Sequence, residues 1–406
     1  MYRSLPRLQV PSENRLIILS IDAIAREKMK REMPETLKAL RDTSETNDVF
    51  GFERYHATGV NTRVNMVPLM TGARDRNTIL ANYLSHKWLY HVAEDAGYPT
   101  MAAGDFCSGL DGNSFKNNEH AYLNWVVQTS GRYPSMNVFP IKAQCEKLYK
   151  TLKETNNLEN TCTMVGSNFG IWTPTVSCAG HLPTYRHWFD YLRQFLTGSG
   201  RRMAHIHNLH YHTDKRQKIP DMDKAYAELI RELAEDDRNI LLFVSDHGLA
   251  FGKEYPMSLT GWEKIYGEDF NAIHRQFAHQ KQPFAYLMFP KNWKGWEGVE
   301  GQERRANMIR NTNRLVTHVD MHYTLRYILT GSAFGESDFM VLMPERLTLF
   351  DDIGDRSCEQ AGLIPQSCAC SHAVRKPGGK IPAILMNVCK HSNSGYPIFR
   401  KWGFCL

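Results

Sequence analysis

Short apolar runs bounded by polar residues recur along the chain, a pattern typical of the buried strands of a parallel sheet. The clearest runs are residues 15–22 (RLIILSID), 239–246 (NILLFVSD) and 283–289 (PFAYLMF). Residues 98–106 form a further predicted strand, and residues 203–210 form a weaker one. These runs predict the strands of one sheet.

Apolar residues at helical spacing predict helices between these strands. The predicted helices cover residues 27–41 (with Met33 and Leu37 inward), 188–196, 223–235 and 319–329. Thr317 or Asp320 is able to cap the last of them. Residues 61–72 combine a polar turn with a short helix that ends at Gly72. Strands that alternate with helices predict an α/β fold, with a largely parallel central sheet covered by helices on both faces.

The 406 residues exceed what one compact core usually serves, so we expect a large domain with a smaller appendage. After about residue 345 the sequence becomes rich in Cys, Pro and Gly and loses its periodicity. We therefore expect an N-terminal extension over residues 1–14, a main domain over 15–345 and a small Cys-rich C-terminal subdomain over 346–406.

Five of the nine cysteines lie after residue 357: Cys358, Cys368, Cys370, Cys389 and Cys405. The spacing of Cys368 and Cys370 does not fit a zinc knuckle, which needs paired C-x-x-C or Cys/His clusters. Disulfides in a lumenal protein are the favoured interpretation, and buried free thiols are the alternative. No run approaches the roughly 20 apolar residues of a membrane span.

Composition adds little to this picture. A hydrophobic content of 42% and a charged content of 23% are ordinary for a globular protein. The formal net charge of +6 is spread along the chain, which fits an anionic substrate and fits a solvated surface equally well. No concentrated basic stripe is present, so nucleic acid is not an expected partner.

Two of the predicted strands end in an aspartate, Asp22 and Asp246. Because ligands bind at the carboxyl ends of strands in open α/β sheets, these carboxylates are expected to converge. They would repel each other unless a cation lies between them. His247 and Gly248 follow Asp246, and a carboxylate beside an imidazole suits Zn²⁺ or Mn²⁺. Alternatively, one aspartate caps a helix and His247 only hydrogen-bonds within a turn.

A histidine cluster interrupts the weaker strand at His205, His207, His210 and His212. Alternate residues of a strand share a face, so His205 and His207 are expected to point the same way. The cluster is suited to ligating a metal or to hydrogen-bonding a substrate oxyanion. Each histidine taken singly is more often a surface or core residue.

Thr62 begins the short predicted helix, where unpaired amide groups create a positive potential. An adjacent metal would lower the pKa of its hydroxyl and make it a nucleophile. The alternative is that Thr62 is an ordinary helix N-cap.

Together these segments resemble the alkaline-phosphatase and sulfatase superfamily, in which the nucleophile lies nine residues before the threonine of a T-G pair, as Thr62 does before Thr71. Within it, the chain most resembles the sulfatase-like family called domain of unknown function 229. The matching segments are Asp22…Arg26…Met33-Pro34-x-Thr36, Asn61-Thr62-x-x-Asn65-x-x-Pro68-Leu69-x-Thr71-Gly72, Cys178-x-Gly180, Ser245-Asp246-His247-Gly248, Asn313-Arg314-Leu315, Asp320-x-His322-x-Thr324-Leu325 and Arg356-x-Cys358.

The resemblance implies an alkaline-phosphatase-like fold and a role for each matching residue. It implies one divalent metal, Zn²⁺ or Mn²⁺ with Ca²⁺ as a third option. The implied metal ligands are Asp22, Thr62, Asp246 and His247, with Thr62 also the covalent nucleophile. The implied substrate contacts are His212, His207, Arg63 and Asn208. Because Asn208 stands where two-metal relatives carry Asp, a second metal is not expected.

The resemblance also implies a reaction and a location. Thr62 cannot form the formylglycine that sulfatases need, so a small-molecule, glycan-linked or lipid-linked phosphate ester is favoured over a sulfate ester. A sulfatase-like hydrolase, or an inactive relative that binds such ligands, is the alternative. The implied location is the secretory lumen, the extracellular space or a membrane surface. The chain start carries no signal or anchor, which suggests truncation and leaves the cytoplasm open. The oligomeric state stays open.

Overall fold

The structure is a computed structural model that describes residues 14–59, 62–73, 87–104, 178–179, 182–208, 219–248, 279–333, 347–363 and 368–369. The strands within these residues are β1 (Arg15–Ile21), β2 (Asn47–Gly51), β3 (Arg54–His56), β4 (Thr100–Gly104), β5 (Cys178–Ala179), β6 (Leu182–Pro183), β7 (Arg202–Asn208), β8 (Asn239–Ser245), β9 (Ala285–Pro290) and β10 (Leu315–Thr317). The α-helices are α1 (Arg26–Glu32), α2 (Pro34–Asp42), α3 (Thr62–Thr71), α4 (Leu89–Asp95), α5 (Thr184–Leu196), α6 (Ile219–Ala234), α7 (Gly298–Asn311) and α8 (His318–Thr330).

Six strands form the central sheet in the order β2-β9-β8-β1-β7-β4. The four strands β8, β1, β7 and β4 run parallel, whereas β9 is antiparallel to both of its neighbours. The predicted α/β fold with a mostly parallel sheet is therefore confirmed. In the register of β1, Ile21 lies opposite both Asn208 of β7 and Ser245 of β8. The carboxyl ends of these three strands are therefore level.

The alternation of side chains along β1 divides the core into two. Leu16 and Ile18 point to one face of the sheet, which we call the even face. Ile17, Leu19 and Ile21 point to the opposite, odd face. Helices α3, α4 and α8 contribute buried residues to the even face, and α1, α2, α5 and α6 contribute them to the odd face. Because both faces of the sheet are covered, the sequence of β1 is a nearly continuous apolar run.

One helix prediction is wrong. Residues 27–41 form two helices, α1 and α2, instead of one, and the break falls at Met33. Pro34 has no amide hydrogen to donate into the preceding turn, and it disfavours helical angles in the residue before it. Met33 accordingly has φ −125° and ψ 56° and is buried in the odd-face core.

Other predicted elements are present with shifted ends. Helices α5 and α6 begin at Thr184 and Ile219, each four residues before the predicted start. The predicted cap of α8 is confirmed, because Asp320 Oδ2 accepts hydrogen bonds from the amide and the hydroxyl of Thr317 at 2.7 and 2.8 Å. Strand β2 (NDVFG) was not predicted, since its mixed polar sequence lacks a long apolar run.

The described C-terminal residues pack against the even-face layer. Leu349 and Phe350 are buried in its core, and Leu349 N donates to Thr324 Oγ1 of α8 at 2.8 Å. Cys358 and Cys368 form a disulfide, which confirms the predicted presence of disulfides in this region. The expected domain boundary at residue 345 stays a prediction. Among the described residues, no helix has the length and apolar character needed to cross a bilayer.

Candidate metal centre

The turn after β1 is tied to the residues that end β8. The amide of Ala23 donates to Asp246 Oδ1 at 3.0 Å, and the amide of Ile24 donates to Ser245 Oγ at 2.9 Å. Ala23 has a φ of +62°, a left-handed conformation that costs energy in a residue with a Cβ. The two bonds hold this strained turn and place Asp22 and Asp246 side by side.

His247 carries the most informative hydrogen bond of the centre. Its Nδ1 lies 2.7 Å from the carbonyl oxygen of Gly248, and because a carbonyl only accepts, Nδ1 must carry the proton. In the neutral form of the ring, Nε2 therefore carries the lone pair. That atom lies 3.5 Å from Asp22 Oδ1 and 3.4 Å from Asp246 Oδ2. With the ring neutral, Nε2 is an acceptor that faces one oxygen of each carboxylate.

The two distances from His247 Nε2 to the carboxylate oxygens fit ligands of one cation. Neither His247 Nε2 nor Asp246 Oδ2 has a hydrogen-bond partner among the described residues, and both atoms are buried. Nitrogen and oxygen ligands about 2.0–2.2 Å from a tetrahedral zinc ion lie roughly 3.3–3.6 Å apart. The observed separations of 3.5 and 3.4 Å fall within that interval. A divalent cation at this point would match the charge and the donor set.

The electrostatics of Asp246 point the same way. Burial raises the pKa of this carboxyl group, whereas His247 and His207 in their protonated forms, followed by the amides of Ala23 and His247, lower it. The net pKa lies below the ordinary value, so Asp246 is ionised at neutral pH.

His207 joins the same group of side chains. One ligand atom each from Asp22, His207 and Asp246 lies within 4.8 Å of the other two, and all three residues are buried. Among the described residues, no set that includes His247 meets this distance for every pair. His205 and His207 share the even face, as strand alternation predicts, and both contact Ser20 of β1. Burial, followed by the charge of His207, lowers the pKa of His205 to about 3, so His205 is neutral at physiological pH.

Thr62 begins α3 at the edge of this group. Its hydroxyl donates to Asp22 Oδ2 at 3.3 Å. Pro68, within α3, cannot donate to the carbonyl of Val64 one turn earlier, and the hydroxyl of Thr58 donates to that carbonyl at 2.5 Å instead. Asn65 Oδ1 accepts from the amide of Gly59 at 2.9 Å. These contacts anchor the approach to Thr62.

The end of α3 is packed closely against α8. Gly72 has φ +71°, and a Cβ built on it would lie 2.7 Å from Cδ2 of His322, so no larger residue fits without rearrangement. His322 Nδ1 also lies 3.0 Å from the carbonyl oxygen of Leu69. The T-G pair that follows Thr62 in the sequence thus has a packing role.

Of the predicted site residues, the structure brings together Asp22, Thr62, Asp246, His247 and His207. Asn208 lies at the end of β7, but alternation directs its side chain to the odd face, where its Nδ2 is 3.9 Å from Sδ of Met222. His212 and the side chain of Arg63 lie outside the described residues. Their predicted contacts with substrate stay predictions.

Sequence reasoning missed two buried residues that contact the histidine pair. Ser20 interrupts an apolar strand two residues before Asp22 and so shares its face, a signal available in the sequence. The hydroxyl of Tyr90, on α4, lies 2.5 Å from His205 Nδ1. Nothing in the local sequence of Tyr90 indicated that contact.

An α/β fold with buried carboxylates and imidazoles at level strand ends, beside a threonine hydroxyl, defines a protein with a candidate metal centre of the kind predicted. The chain matches the family described as "Protein of unknown function (DUF229)" over residues 9–124 and 160–380, and it belongs to that family. The predicted family membership is confirmed. No curated protein matches the chain by sequence.

Several solved structures resemble this one at low sequence identity. The soluble domain of lipooligosaccharide phosphoethanolamine transferase A from Neisseria meningitidis has a TM-score of 0.47 and 12% identity, covering 82% of this chain and 93% of that chain. The zinc complex of the C-terminal periplasmic domain of EcEptC from Escherichia coli has a TM-score of 0.45 and 12% identity, covering 88% and 97%. A protein in the alkaline phosphatase superfamily from Vibrio parahaemolyticus has a TM-score of 0.45 and 12% identity, covering 80% and 69%. At these scores, functional inference rests on the site residues.

Proposed function

We propose that this protein is a metal-dependent phosphoesterase or phosphotransferase with Thr62 as its nucleophile. The observation that supports this most is the placement of the Thr62 hydroxyl, which donates to Asp22 Oδ2 at 3.3 Å. The other carboxylate oxygen of Asp22 faces His247 Nε2 at 3.5 Å. One carboxylate thus links the hydroxyl to the candidate metal ligands.

Asp22, Asp246 and His247 would hold the cation. One imidazole with two carboxylates favours Zn²⁺ or Mn²⁺ over Ca²⁺, which prefers oxygen ligands alone. When bound, the cation supplies Lewis-acid polarisation and lowers the pKa of a nearby hydroxyl. Asp22 Oδ2 would accept the Thr62 proton in the same step.

The reaction proceeds in two displacements at phosphorus. Thr62 Oγ1 forms a bond to phosphorus while the bond to the ester oxygen breaks, and the leaving alcohol takes a proton from solvent. Water or an acceptor hydroxyl then attacks the phospho-threonine and releases its proton to solvent, while Asp22 returns the proton to Thr62 as the bond from Thr62 to phosphorus breaks. Threonine suits phosphoryl transfer because that reaction needs only an aligned, activated oxygen. A phosphate ester of a small molecule, glycan or lipid is therefore the proposed substrate class.

The disulfide bears on where this reaction takes place. Structural disulfides persist in oxidising compartments and are rare in the cytosol. The bond between Cys358 and Cys368 supports the proposal that the protein acts in the secretory lumen, outside the cell or at a membrane surface facing these spaces.

Turnover of aryl phosphate monoesters, diesters and sulfates, with Zn²⁺ or Mn²⁺ supplied, tests the proposal. Thr62→Ala is expected to lower phosphate-ester turnover at least about 10³-fold while the metal content persists, because only the nucleophilic oxygen is lost. Thr62→Ser keeps that oxygen and is expected to retain part of the turnover. Thr36→Val, which removes a buried hydroxyl that bonds Asp223 O on the odd face, is the matched control.

Each result has a distinct meaning. Phosphate-ester cleavage that is lost on chelation and in Thr62→Ala supports the proposal. Turnover unchanged in Thr62→Ala would remove Thr62 from the mechanism. Preferential cleavage of the sulfate would favour the sulfatase-like alternative. A folded, metal-loaded protein that binds aryl phosphate without turning it over would favour the inactive relative.

A further inference from the structure

A buried chain of hydrogen bonds leads from α4 to the candidate metal centre. The Tyr90 hydroxyl lies 2.5 Å from His205 Nδ1, and His205 Nε2 lies 2.8 Å from Ser20 Oγ. Ser20 Oγ lies 2.7 Å from His207 Nδ1. All four side chains are at most 2% exposed, so water does not substitute for these contacts.

The number of available protons determines which group donates in each of these hydrogen bonds. Ser20 Oγ also lies 3.2 Å from the carbonyl oxygen of Ile206, which accepts only, so this contact requires the single proton of Ser20. Both imidazoles must then donate to Ser20 Oγ, and the Tyr90 hydroxyl donates to His205 Nδ1. With neutral imidazoles, no other assignment satisfies these four contacts. Neutral His207 consequently carries its proton on Nδ1 and a lone pair on Nε2.

We propose that His207 is a further ligand of the cation, through Nε2, and that Ser20 and His205 are positioning residues that fix its tautomer. The inference rests on the proposed function, since it needs the cation held by Asp22, Asp246 and His247. It replaces the expected role of His207 as a substrate contact. His207 reaches to within 4.8 Å of the carboxylate ligand atoms, whereas its Nδ1 is engaged by Ser20.

The donor set that results is chemically distinct from the one predicted from sequence. Two carboxylates and two imidazoles suit Zn²⁺ better than Mn²⁺ or Ca²⁺, which favour oxygen-rich sets. The hydrogen bond from His207 Nδ1 to Ser20 corresponds to the outer contact that orients most metal-bound histidines. Loss of such a contact typically weakens metal binding about 10- to 100-fold.

The test measures Zn²⁺ affinity of the metal-free full chain by competition with a chromophoric chelator, and Co²⁺ absorption as a signature of the ligand set. Ser20→Ala is expected to weaken Zn²⁺ binding about 10- to 100-fold, and His207→Gln at least as much, with a changed Co²⁺ spectrum. Thr36→Val, which also loses a buried hydroxyl, is expected to bind Zn²⁺ like the wild type. If Ser20→Ala does not fold, Ser20→Cys retains a weak acceptor and is expected to give an intermediate loss.

The outcomes separate this inference from the proposed function. If wild-type affinity depends on Asp246, yet His207→Gln and Ser20→Ala leave the affinity and the Co²⁺ spectrum unchanged, His207 is not a ligand and the proposed function stands. If the wild type binds neither ion, or Asp246→Asn binds them equally well, the metal-dependent function fails and the inference fails with it.

Discussion

Two buried aspartates on opposite faces of the sheet differ in how their oxygens are used. Asp223 of α6 lies on the odd face, is 3% exposed and accepts the amides of Glu35 and Thr36 at 2.9 and 2.8 Å. Each oxygen has a donor, and the carboxylate stabilises the first turn of α2. Backbone amides of the protein therefore stabilise its negative charge.

Asp246 is equally buried, but only one of its oxygens is matched. Oδ1 accepts the amides of Ala23 and His247 at 3.0 and 2.8 Å, whereas Oδ2 accepts no hydrogen bond from the described residues and lies 3.4 Å from His247 Nε2. A buried charge without a complement is costly unless a ligand supplies one. The comparison shows that burial alone does not indicate a ligand site. A buried carboxylate oxygen without a hydrogen-bond donor does indicate one.

Exchange of each aspartate for asparagine is expected to give the largest difference between the two sites. Asp246→Asn is expected to weaken Zn²⁺ binding at least about 10²-fold, because one charged ligand is lost. In the metal-free protein the same change removes repulsion with Asp22 and also attraction from protonated His247 and His207, so the free energy of unfolding is expected to change little. Chelator competition and urea unfolding measure the two quantities.

The matched variant is Asp223→Asn, for which the opposite result is expected. Its amide nitrogen would face a backbone N–H and lower the free energy of unfolding by about 1–3 kcal/mol, with Zn²⁺ affinity unchanged. If both variants lost stability equally and both kept metal affinity, the distinction between a matched and an unmatched carboxylate would not hold.

Removal of the disulfide tests whether the candidate metal centre depends on the C-terminal segment that the disulfide closes. Cys358 and Cys368 are separated by 10 residues, for which the chain-entropy relation gives about 2.7 kcal/mol. The double variant Cys358→Ala/Cys368→Ala is expected to lose up to about this much stability and to keep wild-type Zn²⁺ affinity. Wild-type protein under reducing conditions is the control. A fall in affinity would indicate that the segment supports the centre through the Ala369 amide, which donates to His56 Nε2 at 2.9 Å.

The buried histidines outside the candidate ligand set give the smallest effect. Burial lowers the pKa of His56 to about 4 and those of His205 and His318 to about 3. Below pH 6.5 the unfolded chain binds protons that the native protein does not, so stability is expected to fall as the pH drops from about 6.5 toward 4.

His318→Phe isolates one of these contributions. The ring of His318 lies 4.9 Å from that of Tyr55, and phenylalanine preserves this packing. The slope of unfolding free energy against pH is expected to decrease by up to about 1.4 kcal/mol per pH unit between pH 4 and 6. Urea unfolding across that range measures it. An unchanged slope would mean that His318 is protonated in the native protein.

Much of this architecture was accessible from the order of residues. The apolar runs predicted the parallel strands, and the strand-end positions of Asp22 and Asp246 predicted their convergence. Both inferences depend on local pattern and on a general property of parallel sheets. The break at Pro34 was equally local and was missed because the helical spacing of apolar residues continued across it.

The sequence by itself determined which chemical groups stand at the strand ends and which faces they share, because alternation along a strand is a local property. Only the tertiary structure decided which atoms face one another. Asn208 follows His207 directly, yet the strand turns it to the opposite core. The proton on His207 depends on Ser20, 187 residues away, and through it on Tyr90. Hydrogen-bond partners so distant in sequence leave no periodic trace, so the tautomer of a buried imidazole is a property of the packed molecule.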